Sequence, residues 1–518
     1  MATLSSKVSV FGLFLSFLGT FVFLRSQSTS QADTRGVKSF GAAGDGVTDD
    51  TAAINTAIAA LQPGDELFFP CGTYKISSGL TIRESNVTVA GAPGCATIQA
   101  TGSGFVAMTV TGGGLSGSTS LTADSPELST TFTANLLPIG GLAAGDYVLL
   151  QEGGRDFSTD VSPGDDRGCD VSGCRGEVLQ VLSVNGNTAT VATAMHFPYN
   201  VALNAASVSK IVNPVTGVTV RDLTFDGSGT VGEGLYLRAI VNSVVSNVTV
   251  QHFVGEGAFS YWGYNLAWDN ITITSSGNYN YGSGNIFSLI DQGNASVNGM
   301  FLSSYPASNA FGWGLHTGAN GTYTNVTVDK AGSGIGRPCK IHASSYNTFN
   351  GLTCKNGTGN YNGLILDYYS SHNTLNNCMI TNNSGNGIVG FGNYNQYNTF
   401  NNCTVSGNTV FQMFAGGDSA LGNRDDHYWT VNGGVYISQG NSYAIQFYNS
   451  NNVSVHDTQF AGPGVHGLDV QANDACVNRN TFSNFTTDIV LNGINNLGSG
   501  NTTPDGTIPS LIPGTCVP

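Results

Sequence analysis

Apolar residues recur in short alternating groups between positions 218 and 487, with a repeat of about 25 residues. Within residues 245–250, for example, an apolar residue precedes Asn247 by two positions and an alternating apolar pair follows it. Alternation with period two predicts a strand with one buried face. The central residue of each period is Asn, Asp or Gly, the types that tolerate the left-handed αL conformation. Each period therefore predicts two short strands joined by a sharp bend, centred on Asp222, Asn247, Asn270, Gly299, Asn325, Gly351, Asn377, Asn402, Asp457 and Asn484.

A repeat of this length cannot bury its apolar face alone, so successive periods must stack as parallel strands about 4.8 Å apart. The pattern predicts an all-β fold, a single-stranded right-handed parallel β-helix with a long surface groove. Stacked Asn side chains at the bends should form an amide ladder. A leucine-rich repeat would show a Leu/Asn consensus and a β-propeller would show four strands per unit, and the sequence has neither pattern.

The repeat divides the chain into five parts. Residues 1–32 contain Lys7, an apolar run over 8–24 and small polar residues, which predicts a signal peptide of a secreted, extracellular or periplasmic protein. The run is also nearly long enough to be a retained membrane anchor. Residues 33–103 should form a cap and the first coils, residues 213–490 the main coils, and residues 491–518 a carboxy-terminal tail or cap.

Residues 104–212 interrupt the repeat and predict a small inserted β subdomain. Asn185-Gly186 lies between two alternating segments, which is typical of a hairpin turn. The loop over 152–175 is rich in Asp and Arg. We expect it either to overhang the groove and hold a sugar chain or to be a solvated surface loop.

Composition and charge narrow the range of partners. The 518 residues carry a net charge of −15, which argues against nucleic acid. No stretch after the signal peptide is long and apolar enough to cross a membrane, and we expect a monomer. An acidic protein can bind an acidic polysaccharide through a local basic patch or a bridging cation. No metal site and no cofactor is assigned, although the carboxylates Asp165, Asp166, Asp222 and Asp226 leave Ca²⁺ open.

Ten cysteines indicate an oxidising compartment. The candidate disulfide pairs are Cys71 with Cys95, Cys169 with Cys174, and Cys476 with Cys516. By contrast, Cys354, Cys378 and Cys403 occupy inward positions of the repeat, so we expect them to be buried free thiols.

The longer connections between bends contain a second set of strands that carries the candidate chemistry. If the apolar residues there face inward, their polar neighbours face outward. His316, His342 and Asp367 follow one another at intervals of one period, which places them about 5 Å from one another on adjacent coils. The candidate catalytic residues are Lys340, His342, Asp367, His316, Arg238 and Asp291. Candidate sugar-binding residues are Tyr261, Trp262, Tyr264, Arg337 and Tyr368.

Such a cluster suits β-elimination from a uronate. A base removes the C5 proton, a cation neutralises the carboxylate, and a proton donor assists the leaving oxygen. Epimerisation at C5 uses the same groups. A hydrolase needs two carboxylates about 5 Å or about 6.5–9.5 Å apart. Asp291 and Asp367 are expected about 14 Å apart from coil stacking, and no second acid aligns with Asp425-Asp426.

Residues 37–76 carry a recognisable motif. A strand over 37–42 should be followed by the turn Gly44-Asp45-Gly46, an amphipathic helix over 51–61 and the segment Phe68-Phe69-Pro70-Cys71-Gly72-Thr73-Tyr74. This arrangement resembles the amino-terminal cap of the pectate lyase superfamily, which includes rhamnogalacturonases, polygalacturonase relatives, epimerases and phage tailspikes. The resemblance implies a capped β-helix whose cap seals the end of the solenoid, away from the groove.

The reaction motifs of individual branches do not occur in this sequence. The polygalacturonase set of Asn-Thr-Asp, Asp-Asp, Gly-His-Gly and Arg-Ile-Lys is not found in order, and the Asp-Pro-His of alginate epimerases is missing. We therefore predict a secreted enzyme that cleaves an acidic, uronate-containing, pectin-like polysaccharide by β-elimination. The alternatives are a glycoside hydrolase of the polygalacturonase or rhamnogalacturonase type and a non-catalytic polysaccharide-binding or surface β-helix protein.

Overall fold

A computed structural model describes residues 33–102, 104–152, 175–228, 232–276, 286–303, 310–330, 336–391, 395–416, 426–440 and 442–504. In these residues parallel strands wind into a β-helix, and equivalent residues of successive coils pair in register, which confirms the predicted fold class. The predicted signal peptide at 1–32 lies outside the described residues. No helix in the described part of the chain is long and apolar enough to span a bilayer.

The coils contribute strands to three parallel sheets. One of them, called here the site sheet, carries the candidate catalytic residues. Its strands are Leu80–Ile82, Phe105–Thr111, Phe287–Gly293, Ala310–Ala319, Gly336–His342, Leu364–Asp367, Ile388–Phe391, Met413–Gly416 and Ile445–Tyr448. The long strands Gly232–Gln251 and Ala258–Thr274 enter it with their first halves, and Gln459–Gln471 and Thr481–Leu491 with their last residues.

The other two sheets lie before and after the αL bend. Before it are Thr34–Gly36, Glu66–Phe69, Thr88–Gly91, Thr219–Arg221, Ser296–Ser303, Thr322–Asp329, Thr348–Asn350, Thr374–Asn376, Thr399–Asn401, Thr430–Asn432, Ser454–His456, Cys476–Asn478 and Leu497–Ser499. After it are Asp45–Asp49, Gly72–Ile76, Ala96–Ala100, Thr224–Asp226, Thr353–Lys355, Met379–Thr381, Thr404–Ser406 and Val435–Ile437. Ser296–Ser303 and Thr322–Asp329 run through the bend into both sheets. The short strand Val215–Thr216 instead pairs with Ile240 and Val241, in the row that continues into the ends of the site-sheet strands.

The polar residues at the bends stack as predicted. Asp222, Asn247 and Asn270 have φ angles of 58°, 52° and 52°, all in the αL region. The Nδ2 of Asn247 donates to Oδ1 of Asp222 at 3.0 Å, and the Nδ2 of Asn270 donates to Oδ1 of Asn247 at 2.9 Å. This amide ladder satisfies side-chain polar groups along the coil axis while the flanking apolar residues fill the interior.

The last coils depart from the predicted spacing. The register pairs His456 with Asn478, which puts Arg479 (φ 52°) rather than Asn484 at the bend after Asp457. The predicted position of Asn484 in the column is therefore wrong, because the coil between these bends is shorter than those before it.

The amino-terminal cap differs from the prediction in two of its elements. Its helix is Thr51–Ala59, and the segment predicted as a strand over 37–42 is instead the 3₁₀ helix Val37–Phe40, ended by Gly41 at φ 101°. The Asp50 side chain makes no cap bond to the helix. It instead accepts the backbone N–H groups of Ala43 at 2.6 Å and Gly44 at 3.0 Å, so it fixes the turn before the helix.

The inserted subdomain is a six-stranded antiparallel sheet of Gly114–Ser120, Thr131–Thr133, Tyr147–Glu152, Arg175–Asn185, Thr188–Val191 and Ser207–Val212. It also contains the 3₁₀ helix Leu137–Ile139 and the short helix Val201–Asn204. The predicted boundary at 104 is too early, because Phe105–Thr111 pairs in parallel with two solenoid strands. The predicted hairpin at Asn185-Gly186 is confirmed. Of the loop predicted over 152–175, residues 153–174 lie outside the described part.

The subdomain packs against the side of the solenoid. One face of its sheet covers a core of its own, and the other face joins a cluster with the coils. In that second cluster Leu149, Val178 and Ile211 of the subdomain contact Ala239 and Tyr264 of the coils. This apolar contact fixes the subdomain beside the site sheet.

The cysteines correct one expectation and support another. Cys71 and Cys95 form the predicted disulfide. The prediction of free thiols is wrong, because Cys339 bonds Cys354 and Cys378 bonds Cys403. Cys378 and Cys403 occupy equivalent inward positions one coil apart, so stacking brings their Cα atoms to 4.5 Å. Cys476 is also disulfide-bonded, whereas Cys169, Cys174 and Cys516 lie outside the described residues.

Candidate active site

The site sheet places four of the six candidate catalytic residues in one column that points away from the solenoid interior. From one coil to the next the paired residues are Arg238, Tyr261, Ile290, His316, His342, Asp367 and Phe391. Lys340 precedes His342 by two residues and therefore leaves the same face of its strand. The stacking of His316, His342 and Asp367 on adjacent coils, predicted from spacing, is confirmed.

Asp367 joins two basic side chains through one oxygen. Its Oδ2 lies 3.0 Å from Nζ of Lys340 and 3.1 Å from Nδ1 of His342. The ring of His316 lies on the other side of His342, with the centroids 5.6 Å apart. Lys340, His342, Asp367 and His316 form what we call the basic cluster.

The basic cluster is buried, which corrects the expectation that these side chains face solvent. Lys340 and His316 are 7% exposed, Asp367 is 6% exposed and His342 is 1% exposed. The physical reason is a cover of aromatic side chains. Lys340 Nζ lies 5.4 Å from the ring centroid of Phe311, and the rings of His342 and Tyr368 meet edge-on at 5.8 Å.

The pKa values of His316 and Asp367 are both lowered, which leaves the imidazole neutral and the carboxylate charged. Burial, reinforced by the positive charges of Lys340 and His342, lowers the pKa of His316 well below its usual value, so this imidazole is neutral at neutral pH. Burial by itself would raise the pKa of Asp367. The charge of Lys340 and the hydrogen bonds from His342 and Lys340 outweigh that effect, so the pKa of Asp367 is lowered and the carboxylate is ionised.

Asp291 is not a member of the basic cluster. The register pairs Ile290 with His316, so Asp291 is one residue past the column, at the bend shared with Thr317. Its carboxylate accepts the Thr317 hydroxyl at 2.7 Å and packs close to Gly176 of the subdomain. The spacing from Asp291 to His316 is one residue shorter than the local period of the coils, which explains the misplacement.

Arg238 is also separate from the basic cluster, because it lies three coils before His316 in the column. Its guanidinium stacks over the Trp262 ring at 4.5 Å. Trp262 and Tyr261 are half-buried on this surface, where they are accessible to a ligand. Tyr264 is buried between subdomain and coils, so the prediction that it offers a surface to sugar rings is wrong.

Tyr368 contacts His342 of the basic cluster, and Arg337 approaches the same Phe311 ring as Lys340. The Arg337 guanidinium lies 5.1 Å from the Phe311 ring centroid and 4.1 Å from that of Tyr361. Sequence reasoning missed Phe311 and Tyr361. A signal existed for Phe311, which precedes Arg337 by one period of the repeat and pairs with it in register.

The carboxylates considered for Ca²⁺ have other partners. Asp222 pairs with Arg221 at 2.6 Å, and Asp226 accepts from Gln251 at 3.0 Å and from Ser228 N at 2.8 Å. Asp165 and Asp166 lie outside the described residues. Within the described part of the chain no group of three or more His, Cys, Asp or Glu side chains is placed to hold a metal.

The family described as "Rhamnogalacturonase A/epimerase, pectate lyase-like" matches residues 34–137. This match contains the cap segment from which the resemblance was inferred. The resemblance to the pectate lyase superfamily is confirmed. Mannuronan C5-epimerase AlgE1 of Azotobacter vinelandii is 49% identical over 65 residues, which are 11% of this chain and 5% of the epimerase. The chain thus spans about a twentieth of that relative's length.

Solved structures share the fold over nearly the whole chain. The tailspike gp61 of Pseudomonas phage phi297 superposes with a TM-score of 0.55 and 16% identity, covering 92% of this chain and 81% of the tailspike. The gp54 tailspike of Acinetobacter baumannii bacteriophage AP22, in complex with a capsular saccharide, gives a TM-score of 0.53 at 12% identity. The match covers 88% of this chain and 79% of the tailspike. At these identities the likeness concerns the fold alone.

Proposed function

We propose that this protein is a secreted enzyme that acts on an acidic, uronate-containing polysaccharide by abstracting the C5 proton, with β-elimination as its reaction. The observation that carries the proposal is the basic cluster, in which a neutral imidazole, a lysine cation and an ionised carboxylate meet on three adjacent coils. The similarity to an epimerase over 65 residues and the fold shared with a tailspike in complex with a saccharide support a polysaccharide as the substrate.

Each residue of the basic cluster has a distinct role in this proposal. His316 is neutral and is the base that accepts the C5 proton. Lys340 and the neighbouring Arg337 neutralise the uronate carboxylate, which stabilises the charge that develops on the sugar. Asp367 binds Nδ1 of His342 and so orients the ring for proton donation to the leaving oxygen.

The pKa of Asp367 argues against hydrolysis. A glycosidase needs a carboxylic acid with a raised pKa as proton donor and a second carboxylate across the bond. The pKa of Asp367 is lowered, and it is the carboxylate that contacts Lys340 and His342 in the described part of the chain. Epimerisation requires the same first step and differs only in how the proton returns, so it is the second candidate.

The test is incubation with pectate, rhamnogalacturonan, alginate and glucuronan in deuterated water. We expect ultraviolet absorbance of an unsaturated uronate to rise together with reducing ends on one of these polymers. Reducing ends without that absorbance would identify a hydrolase. Deuterium at C5 without cleavage would identify an epimerase, and retained binding with no product would identify a binding protein.

A pair of lysine variants tests the role of the basic cluster. Lys340→Met should lower turnover by at least about 100-fold, the usual scale for a group that stabilises the reacting charge. The matched control is Lys355→Met, because Lys355 pairs with Asp329 at 3.1 Å just as Lys340 pairs with Asp367 at 3.0 Å, but on another sheet. Near-normal turnover in Lys340→Met would remove the basic cluster from consideration.

A further inference from the structure

A pocket opens at the seam between the inserted subdomain and the coils. It is separate from the basic cluster, with a cavity volume of about 180 Å³, and its walls include Glu127, Arg175, Tyr369, His372, Gln396 and Tyr397. We call it the seam pocket. That volume corresponds to roughly six water molecules in the liquid, which is the size of one sugar unit.

His372 and Tyr397 in the wall of the seam pocket belong to a stack of four rings. Tyr346, His372, Tyr397 and Tyr428 follow one another on successive coils, with centroids 4.5, 4.6 and 4.4 Å apart and planes within 10° of parallel. All four residues have φ between 54° and 59°. Earlier coils place asparagine at similar bends, and Asn320 donates to Asn294 there at 2.8 Å. The stack covers the ring faces, so the wall presents ring edges and polar tips.

Glu127 gives the seam pocket its acceptor. Its Oε1 lies 3.6 Å from Nε2 of His372, and the carboxylate also hydrogen-bonds Tyr346. About a third of the Glu127 side chain remains exposed. A carboxylate has about four acceptor positions, enough to receive two adjacent hydroxyl groups as well as these contacts.

Arg175 supplies donors without adding net charge. Its Nε donates to Oε2 of Glu152 at 2.7 Å, and its guanidinium stacks over Tyr369 at 4.3 Å. Glu152 balances the positive charge, so a ligand meets N–H donors that carry no net charge. The uncompensated charge on the walls is therefore that of Glu127.

We propose that the seam pocket binds an uncharged sugar unit. Paired acceptor oxygens, planar N–H donors and the polar tips of the stacked rings match the hydroxyl groups of a neutral sugar. A uronate would bring its carboxylate close to Glu127, which disfavours it. The seam pocket thus has the opposite charge preference to the basic cluster, where Lys340 and Arg337 lie. Only the expectation of a polysaccharide ligand rests on the proposed function.

The experiment is calorimetric titration of the full chain with the methyl glycosides of galactose, rhamnose and glucose, with methyl galacturonate as the charged counterpart. We expect at least one neutral glycoside to bind in the millimolar range, at least threefold more tightly than the uronate. Glu127→Gln should weaken neutral binding several-fold and abolish the discrimination against the uronate. Ser371→Tyr, which fills the pocket, should eliminate binding, with its melting curve checking the fold.

Two controls separate this proposal from the proposed function. Glu84→Gln changes a cap carboxylate outside the pocket and should leave binding unchanged. Lys340→Met should lower turnover by at least about 100-fold yet leave neutral-sugar binding intact, so failure of one proposal is visible without the other. The proposal is overturned if no neutral glycoside binds at tens of millimolar, or if Glu127→Gln and a folded Ser371→Tyr bind as the native protein does.

Discussion

A single oxygen of Asp367 sets the electrostatics of the basic cluster. Because it contacts both Lys340 and His342, loss of its charge leaves a buried lysine without its anion. Breaking a buried pair in this way typically costs about 3–5 kcal/mol. The same contact fixes where the positive charge can meet a substrate carboxylate, so stability and turnover should both depend on this residue.

We expect Asp367→Asn to lower the free energy of unfolding at neutral pH by several kcal/mol and to lower turnover strongly. The pKa of Asp367 is lowered on folding, so its contribution is fully present above the unfolded value of about 3.9 and is lost as pH falls through the folded value. Urea unfolding of the native protein and of Asp367→Asn at a series of acid pH values measures the difference in the free energy of unfolding. Asp469→Asn, also buried on the site sheet but bonded to Gln446, is the control. A difference that does not narrow in acid would contradict the assignment.

His316 should make folding stability depend on pH in a different range. Its pKa is lowered by burial and by the charges of Lys340 and His342, so below about 6.5 the unfolded chain binds a proton that the folded chain excludes. Stability should therefore rise with pH up to about 6.5 and then level off. In His316→Gln this part of the slope should disappear, as measured by melting temperature against pH. Identical slopes would show that His316 is protonated in the fold.

Residue spacing predicted which side chains of the basic cluster stack on adjacent coils, but not that they are buried from solvent. The intervals of one period between His316, His342 and Asp367 fix their order on adjacent coils, because register follows from period alone. Burial depends on where the rings of Phe311 and Tyr368 lie against Lys340 and His342, which the repeat period does not give. The same limit explains the cysteines. Cys339 and Cys354 face each other from different sheets, a contact that the repeat period does not encode.

At the scale of the coil, the αL bend is the element that the sequence specifies most directly. Asn377 has φ 53° and lies between Gly351 and Asn402 in the bend column. An L-residue without a short polar side chain pays about 1–2 kcal/mol in this conformation. The column itself contains Gly, which shows that the bend needs the conformation more than it needs the amide.

The prediction at this scale compares two substitutions at one position. Asn377→Ala should destabilise the protein by about 1–2 kcal/mol, whereas Asn377→Gly should cost less, because Gly adopts positive φ without strain. Chemical denaturation of both variants gives the comparison. If Ala proved as well tolerated as Gly, backbone strain would not be what makes the bend select Asn or Gly. Asn492→Ala, outside the column, controls for the composition change.

For the whole molecule, the question is how the subdomain is held on the solenoid. The sequence predicted an insertion after the first coils because the repeat stops there, but it contained no signal for the side on which the insertion docks. The structure places the strand Arg175–Asn185 against the coils that carry Asp291 and Gly293. The interface also buries Tyr264, which explains why a tyrosine on the site sheet is not available to a sugar.

Gly293 permits this close approach. A Cβ atom there would overlap the carbonyl oxygen of Val178 in the subdomain and would also press on the Tyr264 ring at 2.9 Å. We expect Gly293→Val to displace the subdomain while the coils keep their stacking, because the clash lies at the seam and not in the solenoid core. Limited proteolysis should then cleave within residues 114–212 much faster than in the native protein. Neutral-sugar binding at the seam pocket should fall as well.

The control for this variant is Gly117→Ala, since a Cβ at Gly117 meets nothing within 4 Å. It should be as resistant to protease as the native chain. Far-UV circular dichroism should remain that of a β protein in both variants, which separates a displaced subdomain from an unfolded solenoid. If Gly293→Val resisted protease like the control and kept its sugar affinity, the docking seen at Val178 would not be what holds the two parts together. The apolar contacts of Leu149 and Ile211 would then be the next to test.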